Sequence, residues 1–167
     1  MKALLAALAL FGVGVAVQTA TPDEGKRPIK YFADHCARCH GPGGSRYEEL
    51  SARTDAQLKE SIRTMAEGPG GAPLSEEGLR LQLSLHRAIR AKEPFIAILS
   101  VKDGKAEGEA SPDAKVVTLV NNRATTVPTE DGAFTLTLKD PKTMVSARVG
   151  GKVATIPARR VGTSHGR

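Results

Sequence analysis

Two cysteines and a histidine lie close together in the chain, and no other residues are better placed to do chemistry. The stretch "CARCHG" runs from Cys36 to Gly41 and holds both cysteines of the 167-residue sequence. The thiols are three positions apart, and His40 directly follows the second one. On a helical turn, a three-residue offset lets both sulfurs reach neighbouring edges of one bound group, with the imidazole beneath it.

The spacing CxxCH is the attachment pattern of haem c. The two thiols add to the vinyl groups of the porphyrin, and His40 can then bind the iron. A thioredoxin-type pair would need a βαβ context, and no predicted strand leads into Cys36. A zinc site would need further ligands, and the chain has no second cysteine pair. We therefore expect one covalent haem c on Cys36 and Cys39, with His40 as an axial ligand of the iron.

The N-terminus predicts export. Lys2 is followed by an unbroken apolar run of 15 residues, Ala3 to Val17, and then by polar residues. As a helix this run spans roughly 22 Å, which is short of a hydrocarbon core of roughly 30 Å. The pattern is typical of a secretory signal peptide over residues 1–20. Gln18 fits the cleavage site poorly, so the alternative is an uncleaved N-terminal anchor. We expect a periplasmic mature chain with no membrane span.

Residues 21–94 have the apolar spacing of helices. One helix is predicted over residues 29–39 and carries the cysteines. A second begins at Thr54, with Gln57 completing a capping box, and a third is capped by Ser75. These helices must position the CxxCH turn.

Residues 95–160 change to the patterning of strands. "FIAILSV", Phe95 to Val101, is typical of a strand of the buried kind, and "AFTLTLK" alternates apolar and polar side chains. Asp103-Gly104 indicates a hairpin turn. Six or seven short strands predict an antiparallel Ig-like β-sandwich, and residues 161–167 are expected to form a flexible tail.

Positive charge is concentrated near the C-terminus. The chain has 24 basic and 18 acidic residues, a net charge of +6. Residues 141–167 contain no acidic residue and six basic ones: Lys142, Arg148, Lys152, Arg159, Arg160 and Arg167. These residues either solubilise the segment or dock an acidic partner or a membrane surface. Nucleic acid is not an expected partner, because the basic run has no aromatic interleaving.

The stretch "YFADHCARCHGPGG", with "SIRTMAEGPGGAP" and "LSEEGLRL" further on, resembles a class I c-type cytochrome. The resemblance covers residues 29–89, and Phe32 falls where that family has an aromatic residue. It implies a small all-α fold around one haem, and one-electron transfer. The stretch from "GKAEGEASPD" to "GAFTLTL" is similar to carboxypeptidase-regulatory-like Ig modules. The expected fold class is two-domain α + β, with a cytochrome c haem domain over residues 21–94 followed by the β-sandwich over residues 95–160.

The second axial ligand of the iron is where the sequence departs from the family that it resembles. The family that the chain resembles commonly has a methionine directly before a proline here, but this chain has Ala72 before Pro73. Met65, near the end of the second predicted helix, is the predicted ligand. His86 is the alternative, because it lies on an apolar stripe of the third helix. The remaining candidates are expected to be structural or exposed: His35, Met144 and His165.

These expectations indicate an electron carrier and not an enzyme. The protein would pass single electrons between redox partner proteins of the periplasm, with the β module used for docking. One alternative is a subunit of a larger periplasmic oxidoreductase complex. Another is a haem with an open sixth position, which would support sensing or peroxidatic chemistry.

Overall fold

The structure, a computed structural model, describes residues 24–47, 53–121, 123–140, 142–159 and 161–165. The predicted signal peptide lies outside these ranges, as do Arg160 and Arg167. The described residues form four α-helices and eight strands, so the chain is mostly β. In these ranges no helix combines the length and the apolar character needed to cross a membrane.

The helices are short and begin at recognisable signals. They are α1 (Pro28–His35), α2 (Ala37–His40), α3 (Asp55–Glu67) and α4 (Glu76–Ala91). The capping box predicted at the start of α3 is present: the Thr54 N–H donates to Gln57 Oε1 at 2.9 Å, and the Gln57 N–H donates to Thr54 Oγ1 at 3.3 Å. Ser75 Oγ accepts from the Gly78 N–H at 3.1 Å and so caps α4.

The strands form two four-stranded antiparallel sheets. They are β1 (Phe95–Lys102), β2 (Lys105–Ala110), β3 (Lys115–Val120), β4 (Arg123–Thr126), β5 (Ala133–Thr137), β6 (Met144–Val149), β7 (Lys152–Pro157) and β8 (Gly162–His165). The strand orders are β5-β2-β1-β8 and β4-β3-β6-β7. The sheets enclose an apolar core to which β1, β2, β3, β5, β6 and β7 all contribute. Part of the predicted C-terminal tail is thus paired in the structure, as β8 beside β1.

Strand β1 is buried on both of its faces. Ile96 and Ile98 point into the sandwich core. Phe95 and Ala97, on the opposite face, pack with helical residues in a second cluster that we call the junction core. Its buried members are Ile29, Phe32, Tyr47, Leu85, Ala88, Phe95 and Ala97. Both strand residues of this core have no solvent exposure, so the helices cover the outer face of the sheet.

The predicted fold class, a small all-α cytochrome c domain followed by a separate β-sandwich, is wrong. The four helices are short, and the described residues contain no separate all-α domain. The physical reason is the junction core, in which the helices bury their apolar stripe against β1. A helix that has covered a sheet face in this way is one layer of a larger α/β packing.

Polar contacts also join the helices to the sheets. Glu109, on β2, is almost fully buried, and its carboxylate accepts from the Ile29 N–H at 2.8 Å and from Arg27 Nε at 2.9 Å. The first of these bonds satisfies an amide in the first turn of α1. On the other side, Thr163 Oγ1 on β8 donates to Ser84 Oγ on α4 at 3.0 Å.

Candidate functional site

The CxxCH residues form a single helical turn directly after α1. The Cys39 and His40 N–H groups both donate to Cys36 O, at 3.2 and 3.0 Å. The turn ends at Gly41, whose φ of 76° lies in the region that side chains rarely adopt. The predicted spacing of the thiols and the imidazole is therefore realised in the short helix α2, with Cys36 at its N-cap between α1 and α2.

Both cysteines are free thiols. Cys36 is half-buried between two apolar clusters, and Cys39 is exposed. Burial raises the pKa of the Cys36 thiol to about 11, and the charge of Cys39 acts in the same direction. Thiols that exchange disulfides have a lowered pKa, so the surroundings of Cys36 do not favour a thioredoxin-type function.

His40 belongs to a cluster of aromatic rings that reaches from the CxxCH turn to α4. Its ring centroid lies 5.2 Å from that of Tyr47, and Tyr47 lies 5.3 Å from His86 in a T-shaped contact. Phe32 on α1 makes a second T-shaped contact with His86, at 5.5 Å. We call these four residues the aromatic cluster. It brings two residues predicted for the site, His40 and His86, to the same tyrosine.

His86 is 1% exposed, and its two ring nitrogens have different surroundings. Nδ1 lies 2.8 Å from Gln82 O, while Nε2 is buried with no hydrogen-bond partner. Because a carbonyl oxygen only accepts, Nδ1 carries the proton of the neutral ring, and Nε2 has a free lone pair. Burial lowers the pKa of His86 to about 4, with the charge of His40 acting in the same direction. The ring is therefore neutral at physiological pH.

Met65, the predicted axial ligand, lies on the surface. Its side chain is 38% exposed, whereas the residues that α3 buries are Leu58, Ile62 and Ala66. Ala72, at the position where the resemblance would have a methionine, is buried and its carbonyl accepts from Tyr31 Oη at 2.5 Å. Ala66, the residue after Met65, packs with Tyr31 and Ala72 in a cluster that Cys36 also contacts, so the end of α3 lies beside the CxxCH turn.

A cavity of about 960 Å³ opens between the helices and the sandwich. Its apolar lining includes Ile29, Phe32, Ala33, Ala37, Tyr47, Leu85, Ala88 and Ile89, and its polar lining includes Arg90, Lys92, Glu93, Ser111 and Asp113. Of the CxxCH residues, Ala37 alone lines it. Cys36, Cys39 and His40 are not among the residues that line it, so the cavity adjoins the CxxCH turn only through Ala37.

The residues present fit a covalently held haem in their donor chemistry. Cys36 and Cys39 supply two free thiols, and His40 supplies an imidazole on the same turn. Among the described residues, no three side chains of His, Cys, Asp or Glu converge on one point where a bare metal ion would bind. A zinc site is therefore not supported by the part of the chain that the structure describes.

Sequence reasoning missed three residues that shape this site: Tyr47, Gln82 and Glu109. Tyr47 is one of only two tyrosines in the chain and lies seven positions after His40, but a polar stretch surrounds it. Gln82 sits four residues before His86, a spacing that places its carbonyl at the histidine ring, and its side chain also donates to Pro28 O at 2.9 Å. No local pattern could have revealed Glu109, because its partners are about 80 positions away.

The chain matches no protein-family model, no curated protein and no solved structure. The resemblance to a class I c-type cytochrome joined to an Ig-like domain is accordingly wrong. It finds no family match, the helices are few, and their packing against β1 is not that of an all-α cytochrome.

Proposed function

We propose that the chain is an exported protein that carries one haem covalently and passes single electrons between partner proteins. The observation that carries the proposal is the CxxCH turn, in which two free thiols and His40 share one helical turn. Thioether attachment depends on this local geometry and not on an all-α domain. The proposal is therefore independent of the family resemblance.

The chain's own residues would hold and orient the group. Cys36 and Cys39 would form the two thioethers, and His40 would bind the iron through its imidazole. Haem supplies an iron centre that gains and loses one electron. Permanent attachment suits a protein outside the cytoplasm, where a lost cofactor would not be recovered. The buried side of the turn, at Cys36, would exclude water from one edge of the group.

Exposed basic residues support a docking role for the β-sandwich. Residues 142–159 contain no acidic residue, and the four basic side chains there are all exposed: Lys142, Arg148, Lys152 and Arg159. Lys152 Nζ donates to Lys92 O at 2.8 Å, so this part of the basic surface lies next to the end of α4. A redox partner with an acidic surface would approach it faster at low salt than at high salt.

The test is to export the full chain in a host that attaches haem c and to measure covalent haem on the purified protein. We expect one haem per chain, seen in the absorption spectrum after denaturation and in the mass. Changing either Cys36→Ser or Cys39→Ser should leave a single attachment point, and changing both should abolish covalent haem.

The matched control is Ser45→Ala, an exposed position just beyond the turn, which should keep its haem. A wild-type chain that is exported and folded but carries no covalent haem would overturn the proposal. A reduced protein that passes electrons to a soluble acceptor at a rate independent of salt would instead contradict the basic docking surface alone.

A further inference from the structure

We propose that the outer face of the second sheet, β4-β3-β6-β7, is a docking surface for a protein that presents an acidic patch. We call this surface the sheet face. The inference goes beyond the haem proposed above and does not depend on it, because the sheet face points away from the helices. A protein held there leaves the CxxCH turn open to another partner.

The helices of the described residues cover the first sheet and not the sheet face. They pack against β1, β2 and β8, which all belong to the first sheet. In the second sheet, Val116, Val145 and Ala147 point into the sandwich core. Successive side chains of a strand point to opposite sides of a sheet, so Lys115 and Arg148, each next to one of these residues, point outward. No cluster that contains helical residues includes a residue of β3, β4, β6 or β7.

Two like charges lie side by side on the sheet face. Lys115 and Arg148 are directly opposite each other in the register of β3 and β6, and both are exposed. Neither makes an ion pair within the part of the chain that the structure describes. Like charges directly opposite each other destabilise a sheet. Stability alone would favour an acidic residue at one of the two positions.

The second sheet has no acidic residue that could compensate this pair. Its four strands contain only basic charged residues: Lys115, Arg123, Arg148 and Lys152. The strands of the first sheet carry both signs, since β2 contains Glu107 and Glu109. A surface with one sign of charge attracts and orients a partner with the opposite sign. The partner should therefore present aspartate or glutamate side chains to Lys115 and Arg148.

Apolar side chains form a row across all four strands of the sheet face. The row follows the strand register from β4 through β3 and β6 to β7 and consists of Ala124, Leu119, Met144 and Pro157. Ala124 and Pro157 are exposed, and Leu119 and Met144 are half-buried. Protein interfaces combine apolar contacts with charged groups and are enriched in Met and Arg. The sheet face offers both kinds of contact on one flat surface.

Two other occupants fit the sheet face less well. Surfaces that bind anionic lipids use Trp, Phe or Leu side chains together with about four to eight basic residues. The four strands contain no aromatic residue, and Lys152 is turned toward the end of α4, where its Nζ donates to Lys92 O. A second copy of the chain would bring its own Lys115 and Arg148, which would repel the first pair.

The test uses the full chain, with a synthetic peptide of alternating glutamate and leucine as the acidic probe. Amide NMR shifts locate the bound peptide, and a titration gives its Kd. We expect the shifts to fall on β3, β6 and β7 while the amides of the CxxCH turn stay unchanged. Added salt should weaken binding. Lys115→Glu with Arg148→Glu should raise the Kd by about tenfold or more.

The matched control is Lys102→Glu with Lys105→Glu. These two lysines are also exposed and directly opposite each other, but they lie on the first sheet. Both double variants change the net charge equally. The control should keep its Kd within about twofold of wild type at physiological salt, because charges outside an interface act mainly through steering that salt screens. If Lys115→Glu with Arg148→Glu does not fold, Lys115→Glu alone should raise the Kd by roughly threefold.

Equal increases of the Kd in the two double variants would mean that net charge alone attracts the peptide, and they would overturn the inference. Shifts on the helices, or no binding at low salt, would overturn it as well. Binding of phosphatidylglycerol vesicles but not of the peptide would assign the sheet face to a membrane, and a dimer seen by sedimentation and lost in Lys115→Glu would assign it to a second copy. Covalent haem is measured on the same samples. A chain without haem that binds the peptide at the sheet face would overturn the proposed function alone.

Discussion

The helical part and the β-sandwich differ in whether their buried polar side chains have hydrogen-bond partners. Among the described residues, five buried side-chain atoms lack a hydrogen-bond partner, and all five lie in the helical part: His35 Nε2, Tyr47 Oη, Gln82 Oε1, His86 Nε2 and Arg87 Nε. In the sandwich, the buried polar side chains are bonded. Thr143 Oγ1 donates to Asp140 O at 2.7 Å, and the Ser146 and Thr155 hydroxyls pair at 2.9 Å.

This difference separates a region built for stability from one that retains unsatisfied groups. Unpaired buried polar atoms cost about 1–3 kcal/mol each, and in folded proteins they accompany strain, a bound water or ion, or a functional role. Tyr47 and His86 belong to the aromatic cluster, and Gln82 orients His86. Three of the five unsatisfied atoms thus belong to residues of the aromatic cluster or to the residue that bonds His86.

The largest expected effect tests whether the two regions are one folding unit. Phe95→Ala removes a fully buried ring from the junction core and should lower the free energy of unfolding by about 3–5 kcal/mol. Urea unfolding followed by circular dichroism, with hydrogen exchange of α4 and β3 amides, would measure it. Both elements should lose protection together.

Val153→Ala, at an exposed position on β7, is the control and should change stability by at most about 0.5 kcal/mol. Loss of protection in α4 while β3 keeps its wild-type exchange would show two independent units and contradict the shared junction core.

The second prediction removes an unsatisfied group. In the chain that cannot attach haem, Cys36→Ser with Cys39→Ser, we expect His86→Leu to raise the free energy of unfolding by about 0–2 kcal/mol. Removal of the unpaired Nε2 gains about 1–3 kcal/mol, and loss of the Nδ1–H bond to Gln82 O costs about 1 kcal/mol. Thr143→Val in the sandwich should instead lose about 1 kcal/mol, since it breaks a bond that is made. Urea unfolding of the two variants would measure these changes. A lower free energy of unfolding in both variants would contradict the contrast between the two regions.

The third prediction concerns Glu109, the buried carboxyl that joins the two regions. Burial raises its pKa above the usual range, although the Ile29 N–H and Arg27 act against this rise. The folded state therefore binds this proton more readily than the unfolded state, and the stability of wild type should fall as pH rises from the ordinary carboxyl range through the raised pKa.

The slope from one such proton is at most about 1.4 kcal/mol per pH unit. Glu109→Gln cannot titrate, so its stability relative to wild type should increase over the same pH range. Thermal melts at a series of pH values would measure this difference. If the stability of Glu109→Gln minus that of wild type stays constant as pH rises, the bonds from Ile29 and Arg27 balance the effect of burial on the pKa. If this quantity falls as pH rises, those bonds outweigh burial.

The smallest effect is local to the helical part. Thr54→Ala removes the side-chain half of the capping box on α3 and should cost about 1 kcal/mol. Thr135→Ala, at an exposed position in β5, is the matched control in the sandwich and should be nearly neutral. Urea unfolding would measure both variants. If both lose the same free energy of unfolding, the loss in Thr54→Ala is not due to the helix cap.

Local features of this fold could be predicted from the sequence. The CxxCH turn, the Thr54–Gln57 box and the Asp103-Gly104 hairpin depend on residues a few positions apart, and the structure has them where the patterns indicated. The pairing of β8 with β1, the bonds to Glu109 and the unpaired Nε2 of His86 depend on contacts between distant segments. No local pattern encodes such contacts.

The predicted fold class is wrong because of a feature that is visible in the sequence, the continuous apolar run of β1. The run "FIAIL" at Phe95–Leu99 is apolar on both faces, whereas a strand with one solvated face alternates. The change from helical to strand patterning near residue 94 predicts a domain boundary there, and the structure has none. The continuous apolar run indicated instead that something covers the outer face of β1, and the helices are what covers it.

The bond between Glu109 and the first turn of α1 limits how this protein can be divided. A fragment ending before β1 would expose Ile29 and Leu85 to water and leave the Ile29 N–H without its acceptor. Truncation, the usual way to ask what an appended β module does, would here damage the segment that bears the cysteines. The CxxCH segment is therefore not a portable module that could be moved to another protein, and only substitutions on the outer surface can separate recognition of a partner from folding.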